Sequence, residues 1–165
     1  MEYRTLVESE PQIKEALDIA ILNSADGNIW LIGGAVYRVL NRHFHNKQIK
    51  GVLKEISDVD VLFENLRPSL ITRDYELTHT SFGEPRLRKK SVQIDLIKLA
   101  NVAYIRRHLL EPSIENYLAG TFTDVQNIAF DLINNRLIGL GISALRRREI
   151  KITNQTELGY YCAKR

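Results

Sequence analysis

The segment Ser57-Asp58-Val59-Asp60-Val61-Leu62-Phe63 constrains this chain most. It reads as a strand, and side chains along a strand point alternately to opposite faces. Asp58 and Asp60 then share one side while Val59 and Val61 share the other. Two carboxylates held that close repel unless a cation sits between them. Hard divalent ions such as Mg2+ prefer oxygen ligands of this kind, commonly shared with substrate phosphates. The bland alternative is an exposed strand or turn that carries two aspartates by chance.

Around this strand the pattern predicts mixed secondary structure. A helix is expected over about 10–25, with Ser9 as its cap, Pro11 in the first turn and an apolar stripe through Ile13, Leu17 and Ile21. Asp26-Gly27-Asn28 is expected to end it. Ile29 to Ile32 reads as a short buried strand, and Gly33-Gly34 turns it into a second helix, about 35–46. Tyr75 to Phe82 and Val92 to Leu99 read as two strands around the turn Gly83-Glu84-Pro85. Two short helices, 101–110 and 113–118, flank Pro112. Ile128 to Ile138 reads as a hairpin closing at Asn134-Asn135. A helix near 142–148 and a strand near 149–153 complete the chain. This order predicts one α+β domain over 1–165, with a mixed or antiparallel twisted sheet of about five strands and helices packed on one side.

Two further features join the paired aspartates. Gln93-Ile94-Asp95-Leu96-Ile97 sets Asp95 among apolar residues, on a strand expected to pair near Val59–Phe63. A charge there is costly unless paired or metal-bound, and Lys98 or Arg88 are the bridging cations the sequence offers. Leu31-Ile32-Gly33-Gly34-Ala35 runs a strand into a helix through two residues without Cβ. Such a turn lets a phosphate approach backbone N–H groups at a helix N-terminus. Close strand–helix packing is the plain alternative for the glycines.

Together these residues resemble the head domain of the DNA polymerase β-type nucleotidyltransferases, within the branch of CCA-adding enzymes and bacterial poly(A) polymerases. Gly33, Gly34, Asp58 and Asp60 match its Gly-Gly turn and Asp-x-Asp strand, and Asp95 falls where the branch has a third carboxylate. Ser81-Phe82-Gly83-Glu84 is similar to its Arg-Phe-Gly-Thr segment. Asn127 to Leu132 is similar to its Asn-Ala-Leu-Ala-Tyr-Asp stretch, and Gly141 to Ile152 to the segment closing the head. The likeness covers about 29–152. It implies that Asp58, Asp60 and Asp95 are catalytic and hold two Mg2+ ions, with Asp95 helping to activate an attacking hydroxyl. A nucleoside triphosphate is the implied substrate, held by Gly33 and Gly34. Read from the residues themselves, the basic cluster Arg86-Leu87-Arg88-Lys89-Lys90 flanks the turn near the site, and Arg88 and Lys89, with Ser57 beside the aspartates, are further candidates to bind the nucleotide. In-line attack on its α-phosphate would release pyrophosphate. The acceptor would be RNA, a protein side chain or a small molecule.

Departures from the branch are specific. Val36-Tyr37-Arg38 stands where it has Val-Arg-Asp. Ala119 to Asp124 lacks the two arginines of its Arg-Arg-Asp-Phe-Thr motif, and Leu99-Ala100 replaces the arginine that ends the third-carboxylate strand. The sequence stops soon after the head-like part, so a working CCA-adding enzyme is not expected. These departures sustain an alternative: a degenerate domain of the same fold that binds a nucleotide or a protein without turnover. A carboxylate-metal nuclease is a third class, which gives the Gly-Gly turn no task.

Composition sets outer limits. At 165 residues, 44% hydrophobic and 26% charged, the chain is long enough to bury a core and is not disordered by composition. One cysteine, Cys162, precludes an internal disulfide. No apolar run reaches a membrane span and the N-terminus is acidic, so a soluble cytoplasmic protein without membrane partners is expected. Residues 1–82 carry 9 basic and 12 acidic side chains, and residues 83–165 carry 14 and 8. That imbalance permits a polyanionic partner. Gly139-Leu140-Gly141 lacks the chain length after it for a dinucleotide fold, and the four histidines have no zinc-ligand spacing.

Overall fold

The computed structural model describes residues 3–45, 58–90 and 92–163. Helices α1 (Tyr3–Val7) and α2 (Pro11–Asn23) precede strand β1 (Ser24–Ile32), which runs directly into α3 (Gly33–His45). Strands β2 (Asp58–Leu66), β3 (Glu76–His79), β4 (Pro85–Lys89) and β5 (Val92–Lys98) follow. A single 3-10 turn, Leu99–Asn101, then leads into α4 (Ala103–Arg107) and α5 (Ile114–Ala119). The hairpin β6 (Ala129–Asp131) and β7 (Arg136–Ile138) precedes α6 (Gly141–Arg147) and α7 (Gln155–Ala163).

All seven strands form one sheet in the order β3-β4-β5-β2-β1-β6-β7. Among the described residues, β2 and β5 alone pair in parallel and the other neighbours are antiparallel. Parallel neighbours need a crossover, and here the β3–β4 hairpin supplies it, adding itself to the outer edge of β5. The α+β class is as the sequence implies.

The sheet has two unlike faces. Val59, Val61 and Phe63 of β2 point into the main core with Ile94 and Leu96 of β5, covered by Ile13, Leu17 and Ala20 of α2 and Val36, Val39 and Leu40 of α3. Burying each such side chain contributes about 1.5–3 kcal/mol. On the other face β2 presents Asp58, Asp60 and then Leu62. Its apolar end packs with Trp30 and Ile32 of β1 beneath Leu99, Ile105, Ile114 and Leu118. The helices α4 and α5 therefore cover one half of this face, and the acidic half is left as a cleft. Helices lie on both sides rather than one, because Leu62, Ile32 and Trp30 make the second face too apolar to leave wet.

The strand count exceeds the expected five mainly because Pro85-Arg86-Leu87-Arg88-Lys89 is a strand. Its charges read as a basic cluster, but Leu87 alternates inward and is wholly buried. The expected strand at 149–153 reduces to a single bridge, Thr123 to Ile152, and α7 follows it. Ser9 does not cap α2: Glu10 holds that position without a side-chain cap, while the Ser9 hydroxyl donates to the Leu6 carbonyl at 2.7 Å. Asp26-Gly27-Asn28 does not end α2, which stops at Asn23, but bulges β1, with Gly27 at φ 74° and register shifts between Ser24 and Asp26 and between Asp26 and Ile29. The 128–138 hairpin forms as expected. Asn135 takes φ 50°, and buried Asp131 accepts from the backbone N–H groups of Ile133 and Asn134.

Candidate active site

Strand register builds the site as one row across four strands. Arg86 of β4 lies opposite Asp95 of β5, Asp95 opposite Asp60 of β2, and Asp60 opposite Ile32 of β1. Neighbouring strands are about 4.8 Å apart, so the row packs a cation and two carboxylates side by side. One step along, Asp58 faces Gln93, whose amide Nε2 donates to Asp58 Oδ1 at 2.9 Å.

Arg86 grips Asp95 with both arms of its guanidinium: Nε donates to Oδ1 at 2.6 Å and Nη2 to Oδ2 at 2.8 Å. The bridge that the sequence assigned to Lys98 or Arg88 is made by Arg86. Among the described residues Asp60 has no such guanidinium partner. Burial pushes its pKa up to about 6, the Asp95 and Asp58 charges push the same way, and Arg86 opposes them. Asp60 thus holds negative charge that the surrounding protein only partly balances.

Gly33 closes against this carboxylate. It stands at φ 69°, and a Cβ built on it would come within 2.6 Å of Asp60 Oδ2. Both the backbone conformation and the approach of Asp60 exclude a side chain at Gly33. Gly34 is exposed, and a Cβ there would meet nothing within 4 Å. The turn begins the 13-residue helix α3, whose first N–H groups have no partner within the helix.

The row opens into a cleft of about 1110 Å3. Its floor includes Asp60, Asp95 and Arg86; its walls include Thr80, Ser81, Phe82 and Glu84 from the β3–β4 turn, Arg106 and Arg107 of α4, and Tyr161 of α7. Tyr117 also lines it, and burial together with the Asp60 charge holds its hydroxyl proton more tightly than usual.

The sequence candidates separate on this geometry. Asp60 and Asp95 are register neighbours that line the cleft and Gly33 abuts Asp60, whereas Asp58 lies one step along beside Gln93 and Gly34 is exposed. Arg88 shares the site face with Arg86, one register step along beside Gln93, and is exposed. Lys89 does not belong: it alternates to the opposite face with Leu87, where it pairs with Glu15 at 2.8 Å and Asp74 at 2.5 Å over the Tyr75 ring. Ser57 lies outside the described residues. Sequence reasoning missed Arg86, Glu84 and the α7 wall. Strand alternation would have found Arg86, since it shares parity with Arg88; nothing local could place α7. Trp30 is buried, as expected of a core ring, and Asn127 has a structural task, its side chain tying Leu118, Thr121 and Leu140 together.

Among the described residues, no group of three or more His, Cys, Asp and Glu side chains is placed to hold a metal ion. No helix there is long and apolar enough to cross a membrane.

No protein-family model and no curated protein sequence matches the chain. Solved structures do. A Thermotoga maritima CCA-adding enzyme complexed with tRNA is similar at a TM-score of 0.61 and 14% identity, over 97% of this chain and 38% of that one. A tRNA-processing enzyme with CTP gives 0.56 and 15%, over 81% and 34%. A tRNA nucleotidyltransferase complexed with a primer tRNA and an incoming ATP analogue gives 0.53 and 17%, over 81% and 37%. At such identities the likeness is one of fold. The chain accordingly has a nucleotidyltransferase-like fold resembling a head domain, and spans little more than a third of the enzymes it resembles.

Proposed function

We infer that this chain is a cytoplasmic nucleotidyltransferase domain that uses Mg2+ to move a nucleoside monophosphate from a nucleoside triphosphate to a hydroxyl acceptor. The observation that carries this reading is the contact of Gly33 with Asp60, beside Asp95. A turn bare enough for a phosphate abuts a carboxylate that needs a cation. The fold similarity supports the same class.

Asp58 and Asp60 offer carboxylate oxygens, the donors that a hard divalent ion takes. Asp60 and Asp95 are register neighbours, Asp58 shares their face, and Asp60 is short of positive charge. Asp60 and Asp58 would hold such ions, and Asp95 would join when Arg86 cedes its oxygens. Bound Mg2+ would supply charge neutralisation at the entering and leaving oxygens of an in-line displacement. The residues supply the rest. Gly33 and Gly34 offer backbone N–H groups to the triphosphate, and Arg88 stands on the same face to meet further phosphate charge. The acceptor oxygen bonds to the α-phosphorus, the α–β bridging bond breaks, and pyrophosphate carries away the electron pair. Asp95 is the carboxylate that the resemblance assigns to the acceptor's proton.

A specific observation favours a second reading. Arg86 already satisfies both oxygens of Asp95, as in a site that has lost its metal and binds nucleotide without turnover. The two separate in one experiment: incubate the protein and Mg2+ in extract of its own source with triphosphates labelled at the α- or the γ-phosphate. The enzyme puts α-label alone on an acceptor such as RNA or protein, and Asp60→Asn abolishes the transfer. Binding with no label transferred supports the degenerate domain.

A further inference from the structure

The backbone itself sets Arg86 against Asp95. They are opposite residues of the antiparallel pair β4–β5, so their side chains rise from one face within a strand spacing of each other. Both oxygens of Asp95 are taken, by Nε at 2.6 Å and Nη2 at 2.8 Å, and the Asp95 side chain is only 16% exposed. A guanidinium stays charged throughout the pH range of a folded protein, and the two-armed fork is the strong form of such a bridge. An ion reaching for an Asp95 oxygen must therefore break two charge-assisted hydrogen bonds and settle beside a fixed positive charge.

The oxygens left over belong to two residues. Asp58 gives Oδ1 to the Gln93 amide and, among the described residues, meets no side-chain donor at Oδ2. Among the same residues Asp60 accepts from no side chain at either oxygen, and its Oδ2 lies against Gly33. Two carboxylates, completed by water and substrate phosphate, are an ordinary protein share of one Mg2+. A cage of three or more ligating side chains is absent among the described residues. Charge gives the same count. Three carboxylates, Asp58, Asp60 and Asp95, less the Arg86 cation leave two negative charges on these side chains, which one divalent ion balances.

We propose that the cation–triphosphate site inferred above, on which this step rests, takes one divalent ion at Asp58 and Asp60, and that Arg86 stands on Asp95 as a fixed cation in place of a second. The two ions that the resemblance implies do not fit a third carboxylate whose oxygens are both bound. Asp95 joins the ion ligands only where Arg86 is removed. Asp95 takes two of the guanidinium's N–H donors, so Arg86, which lines the cleft, keeps others for a substrate phosphate.

Electron paramagnetic resonance with Mn2+ counts the ions. Free Mn2+ gives a sharp signal that binding removes, and two bound ions about 4 Å apart broaden each other. The parent, titrated with Mn2+ alone and with Mn2+ plus α,β-methylene-ATP, is expected to take one ion per chain with no sign of coupling. Asp60→Asn should lose that ion in the titration with Mn2+ alone. Arg86→Met is expected to take two, with the coupled spectrum, because it frees Asp95. Arg86→Lys keeps a positive charge there and should stay at one, so the parent and the lysine variant decide the count should the methionine variant not fold. Two coupled ions in the parent overturn the proposal and leave the cation–triphosphate reading standing. So does a second ion in Arg86→Lys, or a single ion in folded Arg86→Met. An ion that Asp60→Asn retains, or no ion bound to any of these proteins, overturns that reading together with the proposal.

Discussion

Gly33 and Asp60 are in contact so close that a single added carbon on Gly33 would lie 2.6 Å from Asp60 Oδ2. The turn that would cradle a phosphate and the carboxylate that would hold its counter-ion are therefore one unit. Gly33→Ala should destabilise the chain by about 1–3 kcal/mol, through positive φ and displacement of the carboxylate. It should also abolish triphosphate binding. Gly34→Ala, with open space around it, should stay within about 0.5 kcal/mol of the parent. Urea unfolding of both variants checks the contrast.

Asp60 also makes stability depend on pH. Its pKa rises from the ordinary 3.8 to about 6 in the folded chain. The folded state thus binds the proton more tightly, and that stabilisation is complete below pH 3.8 and lost as pH rises through 6. At about 1.36 kcal/mol per pH unit the loss approaches 3 kcal/mol by neutral pH. With chelator present, Asp60→Asn should be more stable than the parent at pH 7.5, by about 2–3 kcal/mol. The advantage should shrink as the pH falls toward 4. Denaturant titration at both pH values measures it.

Arg86 and a divalent ion compete for Asp95. Arg86→Met removes two charge-assisted hydrogen bonds and leaves Asp95 and Asp60 to repel each other. With chelator the variant should lose about 1–2 kcal/mol, less than a fully buried pair because Arg86 is partly exposed. Mn2+ should then bind the variant more tightly than the parent and restore its melting temperature. Thermal melts with and without Mn2+ decide this.

Lys89 supplies the opposite control. Its partners Glu15 and Asp74 lie on the far face of the sheet from Asp60. Lys89→Ala should lower the melting temperature slightly and leave triphosphate affinity unchanged, while Arg88→Ala weakens it. Parallel calorimetry of the two variants separates the faces.

Period and spacing made much of this legible in the sequence. The alternation of Asp58-Val59-Asp60-Val61 fixed which side chains share a face, and the apolar run around Asp95 announced a strand close enough to pair with it. Gly33-Gly34 marked the turn, where Gly33 alone needs both a positive φ and the absence of a side chain. What escaped was tertiary. A strand with one inward residue, Leu87, looks like a charge cluster until β5 lies beside it, so Arg86 stayed hidden as the partner of Asp95. Lys89 looked like a site residue because contiguity in sequence hides the reversal of faces at each step of a strand. The α7 wall depends on a helix whose apolar face is weak, with Glu157 inward and Tyr160 and Tyr161 outward.

The account stands or falls on whether the carboxylate row and the Gly33 turn act as one cation–triphosphate site. Calorimetric titration of ATP into the parent, Asp60→Asn and Asp95→Asn, each with Mn2+ and with chelator, measures that coupling. ATP should bind the parent at least tenfold more tightly with Mn2+ than without, and both variants should lose that gain. Equal ATP affinity in all three proteins, with or without the ion, would contradict it.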